Sequence, residues 1–307
     1  MTPEVFVEWL RRQGYKVIKT PASYWVEVGP RVFQAFPYHW VVSPGEDEIG
    51  KLLLDEKALA IRYSTLQTSH AGSLSYHVVL DKKQYTLKDL PRKARYDVKK
   101  GLSVASVEPI PLSLLSSEGW SLRRDTLARQ GRLDAETEKN WHRLCLSANG
   151  LDGFEAWGAF VQGKLVAALL AILCDDHFCI LYHQSLTEYL SFGVNNALTF
   201  IVTSDVLNRL DNQISVFYGL QSLDAPYSVD KFKFRMGYTA KPVRQRVAFH
   251  PWVNPLMNKT SHMFLRGGLR LRPDSSTLSK AEGLLRFYLQ GRMPLSEQTP
   301  PPPLRAK

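Results

Sequence analysis

Phe154–Leu173 reads FEAWGAFVQGKLVAALLAIL, two apolar arms on either side of Gln162-Gly163. A Gly-containing pair between two β-rich runs predicts a hairpin with a tight turn, with strands over 154–161 and 164–173. The second arm is apolar nearly throughout, the pattern of a strand covered on both faces rather than one wetted on alternate residues. His177–Gln184 continues as a third strand. The expectation is a sheet with helices packed on both sides.

Downstream, a polar loop from Thr187 to Gly193 opens a helix whose buried face is marked by Val194, Ala197, Leu198, Ile201 and Val202. A strand at Ser215–Tyr218, a loop, a helix over Ser228–Met236 and a strand over Pro242–Phe249 complete this part. Upstream lie helices over 112–130 and 135–148, the latter with Trp141, Leu144 and Cys145 on one side, preceded by a strand over 103–109 and a basic helix over 88–100. The first 86 residues read as a small mixed lobe. It has a helix over 3–12, strands over 15–18, 24–28 and 32–36, a helix over 47–54, and strands over 58–63 and 75–80. Beyond Pro251 the pattern predicts helices over 253–265 and 279–289, with Ser279 and Glu282 at capping-box spacing. The proline-rich end is expected to be disordered. The predicted divisions are therefore 1–86, 87–252, 253–294 and 295–307.

An excess of ten positive charges in 307 residues favours an anionic partner: a phosphorylated cofactor, a nucleic acid or a membrane surface. Cys145, Cys174 and Cys179 are an odd number without metal-ligand spacing, so the sequence predicts buried small hydrophobes in a reduced, cytoplasmic protein and no metal. The longest apolar run, Leu165–Cys174, is too short to cross a bilayer. Glu4 and Glu8 stand where a signal peptide needs an apolar core, so a soluble protein is expected.

In sheets of this kind ligands collect where the carboxyl ends of neighbouring strands diverge, here at Gln184 and Tyr218. Two loops leave those ends. Gly193, Val194, Asn195 and Asn196 either present helix N-terminal amides to phosphate oxygens, or form only a tight turn and its cap. The second loop carries Gln221, Ser222, Asp224 and Tyr227 ahead of Lys231 and Lys233. Six Lys or Arg fall between Lys231 and Arg246 with no acid among them. Asp224 caps a turn in its commonest role, yet hydroxyl, carboxylate, phenol and ammonium together supply the groups that proton transfer and charge stabilisation need.

Residues from about Leu87 to Pro251 resemble an N-acyltransferase of the GNAT superfamily in its Fem-like, aminoacyltransferase-like branch. The likeness rests on PRKARYDVKKG at 91–101, the hairpin, FCILYHQSL at 178–186, FGVNNALTF at 192–200 and DKFKFRMGY at 230–238. Lys233, Phe234 and Gly237 fall on that family's lysine-bearing FK…G segment. The resemblance implies a mixed, mostly antiparallel α/β sheet flanked by helices, with a smaller, reduced α/β lobe before it. It implies acyl transfer from a thioester or ester-linked carrier to an amine. The donor is acyl-CoA in ordinary members and aminoacyl-tRNA in Fem-like ones. The family's pyrophosphate loop reads Gln/Arg-x-x-Gly-x-Gly/Ala. Aligned on Gly193, this chain has Leu190 and Asn195 at two of those positions, a departure that weakens coenzyme A as donor. The basic helix from Lys88, with Arg95, and the run from Lys231 suit a larger polyanion.

The chemistry so implied makes Asp224 the base, Tyr227 the proton donor to the leaving group and Lys233 the group that neutralises developing charge. Tyr182, His183 and Gln184 line the cleft from the adjacent strand, with Gln221, Ser222, Lys231 and Arg95 as further substrate contacts. For His183 a hydrogen-bonded strand residue is the stronger reading. The competing function is a non-catalytic protein that keeps the fold and binds RNA or another anionic partner.

Overall fold

The computed structural model describes residues 2–133, 136–210, 214–223 and 227–305, and the backbone alone of Tyr227 and Ser228. In chain order it begins with α1 (Pro3–Arg12), β1 (Val17–Lys19), β2 (Tyr24–Gly29), β3 (Val32–Phe36) and α2 (Glu46–Leu54). Then come β4 (Ala60–Thr65), β5 (Ser73–Leu80), α3 (Arg92–Val104), β6 (Ser106–Ile110), α4 (Leu112–Arg129) and α5 (Glu138–Leu146). The central run is β7 (Phe154–Val161), β8 (Lys164–Cys174), β9 (His177–Ser185), α6 (Val194–Arg209) and β10 (Ser215–Leu220). The chain ends with α7 (Tyr227–Arg235), β11 (Thr239–Phe249), α8 (Lys259–Leu271) and α9 (Ser276–Gly291).

Two compact units share these elements. One comprises residues 1–13, 78–219 and 226–239, the other 14–77, 220–225 and 240–307. Neither is a continuous segment, so the boundaries drawn from sequence at 86, 252 and 294 do not coincide with them. The reason is amphipathic packing at the chain ends. Helix α1 belongs to the first unit because Phe6 and Trp9 pack their rings on Phe154 and the Trp9 indole donates to the Leu144 carbonyl. Helix α9 belongs to the second because Leu284, Leu285, Phe287 and Tyr288 bury against Val247 of β11.

In the first unit the strands lie in the order β10-β9-β8-β7-β6. All neighbours are antiparallel except β9 and β10. The hairpin forms as its sequence predicts: Gln162 and Gly163 both take positive φ, and Leu165–Ile172 of β8 are all buried. Helices α4 and α5 cover the sheet through Leu115, Leu122, Trp141 and Leu144, and the Trp141 indole donates to the Leu115 carbonyl. Cys145, Cys174 and Cys179 are free and buried, and burial pushes their thiols up.

Helices α3 and α6 approach so closely that no side chain fits between them. A Cβ on Gly193 would lie 2.2 Å from the Asp97 carbonyl oxygen, and one on Gly101 would lie 2.4 Å from the Gly193 oxygen. Gly193 also takes φ of 80°, the left-handed region.

The second unit orders its strands β1-β2-β3-β4-β11, again antiparallel except for one pair, β3 and β4. Each unit thus contains a parallel pair joined through a helix, β3-α2-β4 and β9-α6-β10. Here three local readings of the sequence are corrected. The helix expected over 253–265 begins at Lys259, because Asn258 caps it by accepting from the Ser261 amide. Helix α9 starts three residues before Ser279, at a Ser275 cap, and Glu282 bonds His262 and Arg286 instead of closing a capping box. The segment 295–305, expected to be disordered, forms two short turns, and the buried Gln298 accepts from the Leu74 amide while donating to the Gly72 and Met293 carbonyls. Among the described residues no helix is long and apolar enough to cross a membrane.

The α3–α6 contact predicts a contrast between glycines. Gly101→Ala should destabilise the protein by about 2–4 kcal/mol through overpacking against backbone. Gly50→Ala, whose Cβ meets nothing within 4 Å in α2, should stabilise it by roughly 0.5–1 kcal/mol. Urea unfolding of both variants checks this.

Candidate active site

Strands β9 and β10 pair only at their beginnings, where Ser215, Val216 and Phe217 face His177, Phe178 and Cys179. Beyond Cys179 the β10 edge of β9 has no ladder partner in that register, so the carboxyl ends part. On its other edge β9 carries a bulge. Leu170 faces Tyr182 while Ala171 faces Ile180, which leaves Leu181 as the extra residue. Bulges twist a strand and re-aim the side chains after them. Here the residues after the bulge are Tyr182, His183, Gln184 and Ser185.

Alternation sends these side chains to different faces. Tyr182 packs edge-on against Trp141 and beneath the Arg123 guanidinium, on the side of α4 and α5. His183 turns the other way, where its Nδ1 is bonded to the Tyr218 hydroxyl across the gap. Phe232 of α7 closes on the His183 ring at 6.0 Å between centroids. The Tyr218 ring meets Tyr238 at 5.2 Å, and the Tyr238 hydroxyl bonds Thr203 at 2.7 Å. On α6, Asn195, Thr199 and Thr203 stand four residues apart and so share one face. Asn195 lies beside His183.

Several of these buried polar groups are incompletely bonded. Among the described residues, His183 Nε2, Asn195 Oδ1 and Thr199 Oγ1 are buried without a hydrogen bond of good geometry, although Asn195 lies close enough to His183, and Thr199 to Tyr218, to act on their titration as hydrogen-bonding neighbours; both amide atoms of Gln184 are likewise unbonded, on the opposite face with Tyr182. Unpaired buried polar atoms are rare, and a cluster of them marks a place where a ligand or water completes the bonding. Burial lowers the His183 pKa to about 4 against the opposing pull of the Asn195 side chain, and the positive charges of Arg129 and Lys233 act the same way as burial, so the imidazole is neutral at pH 7. Burial also raises the Tyr218 phenol well above its ordinary value, so it keeps its proton.

The base of the site is braced by α4. Arg129 donates to the Ser185 carbonyl and to Thr187, and Asn195 Nδ2 donates to Ser185 Oγ at 3.0 Å. Although burial pushes Asp125 up, hydrogen bonds from the Thr187 side chain and amide hold its carboxyl below the usual range. The loop between β9 and α6 is thereby fixed at its start.

The residues expected from sequence divide between those inside and those outside the described structure. Asp224 lies outside the described residues, as does the side chain of Tyr227, whose backbone begins α7. Lys233 is close to the site, with its ammonium 5.1 Å from the Tyr218 ring centroid, but it is paired with Asp230 at 2.9 Å. Lys231 is exposed on α7. Gln221 and Ser222 belong to the second unit, where Gln221 accepts from Ser75 and its backbone is bonded by Arg62 and Tyr76. Arg95 donates to the Leu90 carbonyl from within α3. The Gly193 amide is bonded to the Leu190 carbonyl, Val194 is fully buried, and Asn196 donates to Met236 Sδ.

Sequence reading missed Tyr218, Thr199, Tyr238 and Asp230. The available signal was the spacing of Asn195, Thr199 and Thr203 on an otherwise apolar helix face.

No protein-family model matches the chain, and no curated protein is significantly similar to it. Solved structures are similar at the level of fold. FemX superposes with a TM-score of 0.54 at 10% identity over 81% of this chain and 92% of its own. The L-PGS of Bacillus licheniformis superposes with a TM-score of 0.52 at 12% identity, over 81% and 91% respectively. A conserved protein of unknown function from Bacteroides thetaiotaomicron gives 0.52 at 12%, over 80% and 88%. The fold is GNAT-like and Fem-like, as the sequence motifs led one to expect.

The neutral His183 has a consequence for stability. In the unfolded chain the group titrates near its ordinary value, so between that value and about 4 the unfolded state binds more protons than the native one. Stability therefore falls as pH drops through that window. Acidification from neutral pH to near 4 should cost wild type roughly 3 kcal/mol more than it costs His183→Phe. Denaturant unfolding at both pH values measures the difference.

Proposed function

We propose that the protein is a GNAT-type aminoacyltransferase, which moves an aminoacyl group from an ester-linked tRNA carrier to an amine acceptor. The reaction centre is the gap between the ends of β9 and β10. The observation that supports this most is the cluster of buried polar atoms on His183, Asn195 and Thr199 that lack a hydrogen bond of good geometry, beside the point where β9 and β10 stop pairing.

In this reading the amine nitrogen attacks the ester carbonyl, a C–N bond forms and the C–O bond to the carrier breaks. We assign the Tyr218 hydroxyl as donor to His183 Nδ1, which leaves the proton of the neutral ring on Nε2, the atom this reading turns to the oxygen on which negative charge develops. Asp224 takes the proton released by the amine, and Tyr227 returns one to the leaving oxygen. Lys233, its charge matched by Asp230, holds the Tyr218 ring in place rather than meeting the developing charge itself.

Two features favour tRNA over coenzyme A. The Gly193 amide is already bonded to the Leu190 carbonyl, and Gly193 is pressed on α3, so neither its amide nor its Cα side is open to a pyrophosphate. Arg92, Lys93 and Lys99 are exposed on α3, and rows of exposed cations suit a polyanion. The second unit has no comparable phosphate site at α2, whose first turn carries Glu46, Asp47 and Glu48 and so repels anions from the helix N-terminus. The exposed cations of α3 also favour a second reading, in which the protein binds RNA without catalysis.

Thermal-shift measurements with aminoacyl-tRNA, deacylated tRNA, acyl-CoA and free coenzyme A separate these readings. Aminoacyl-tRNA should stabilise more than deacylated tRNA. Equal stabilisation by both, lost in moderate salt, supports binding alone, and selective stabilisation by one acyl-CoA replaces the donor. Once a donor is found, Asp224→Asn should lower turnover roughly hundredfold or more. Thr199→Val should lower it less while leaving the fold intact.

A further inference from the structure

Helix α8 is packed on one side only. Its Leu265 belongs to the apolar cluster of α9 and β11, His262 bonds Glu282, and a Cβ on Gly268 would touch Leu278. On the outer side Met263 is 66% exposed, Phe264 73% and Leu271 85%. At 100° per residue, Met263, Phe264, Gly267 and Leu271 fall within one stripe about 100° wide. Lys259, Arg266 and Arg270 fall on a second stripe beside it, and none has an ion-pair partner among the described residues. The segment leading into the helix exposes Trp252 at 86% and Leu256 at 63%. Over 251–273 the sequence carries Lys259, Arg266, Arg270 and Arg272 and no Asp or Glu.

Large apolar side chains held fully in water are unfavourable unless something covers them. The charge beside them selects what does. A cationic stripe bordering an apolar one matches the layered chemistry of an anionic bilayer surface, where phosphate groups meet acyl chains within a few ångströms of depth. A second copy of the same helix would place like charges against each other. At 13 residues α8 is about 20 Å long, too short to span a bilayer and long enough to lie in its plane.

We propose that α8, with Trp252 and Leu256, docks the protein on membranes rich in anionic lipid, the apolar stripe entering the acyl boundary and Lys259, Arg266 and Arg270 meeting the headgroup phosphates. Docking uses surface side chains alone and does not depend on the transferase reading.

The test is co-sedimentation with vesicles of phosphatidylcholine alone and of phosphatidylcholine mixed with phosphatidylglycerol, alongside light scattering of the free protein. Wild type should bind the mixed vesicles and not the zwitterionic ones. Arg266→Gln with Arg270→Gln should weaken binding roughly thirtyfold, from about one surface-cation contribution each. Phe264→Ser with Leu271→Ser should abolish it, with circular dichroism and melting temperature unchanged because the side chains are exposed. Failure to bind either vesicle, or equal binding by both variants, overturns the proposal. So does a stable dimer in solution that Phe264→Ser dissociates.

Discussion

Parallel pairing between β9 and β10 lasts for three residues and then stops, and the proposed reaction centre depends on that limit. Had the ladder continued along β9 as far as His183, the β10 edge of that strand would be closed and His183 would have no gap to face. The bulge at Leu181 and the early end of pairing act together. One re-aims the residues after Ile180, the other leaves room for them. The space is then shaped by side chains, with Tyr218 reaching across from β10, Phe232 closing from α7 and Asn195 and Thr199 supplied by α6.

The electrostatics follow from the same enclosure. His183 is buried among neutral rings and near two cations, so protonation is disfavoured and the ring serves as a fixed dipole. Asp230 cancels the Lys233 ammonium in a largely buried pair. The desolvation of both charges offsets much of their attraction, so the pair adds little net stability. Its part is placement, holding the Tyr218 ring and through it the tautomer of His183.

Much of this architecture could be read from the residues because the determining patterns are local. Two positive-φ residues and an apolar arm specify the β7-β8 hairpin, and a single glycine with apolar spacing specifies the start of α6. The site was legible at the level of place: Gln184 and Tyr218 mark the strand ends, and His183 and Asn195 lie there. Its wiring was not legible. That Tyr182 leaves the cleft side depends on a bulge, which periodicity does not display. That Gly193 serves helix packing depends on Asp97 and Gly101, about ninety positions away. The division into units escaped for a similar reason, since α1 and α9 join partners distant in sequence.

A crystal structure with the bound donor carrier tests the central assignment most directly. The account predicts ligand density in the gap beyond Cys179 and Phe217, with hydrogen bonds to His183 Nε2 and to Asn195 or Thr199. A ligand bound elsewhere, with those atoms instead paired to one another inside the fold, would contradict it.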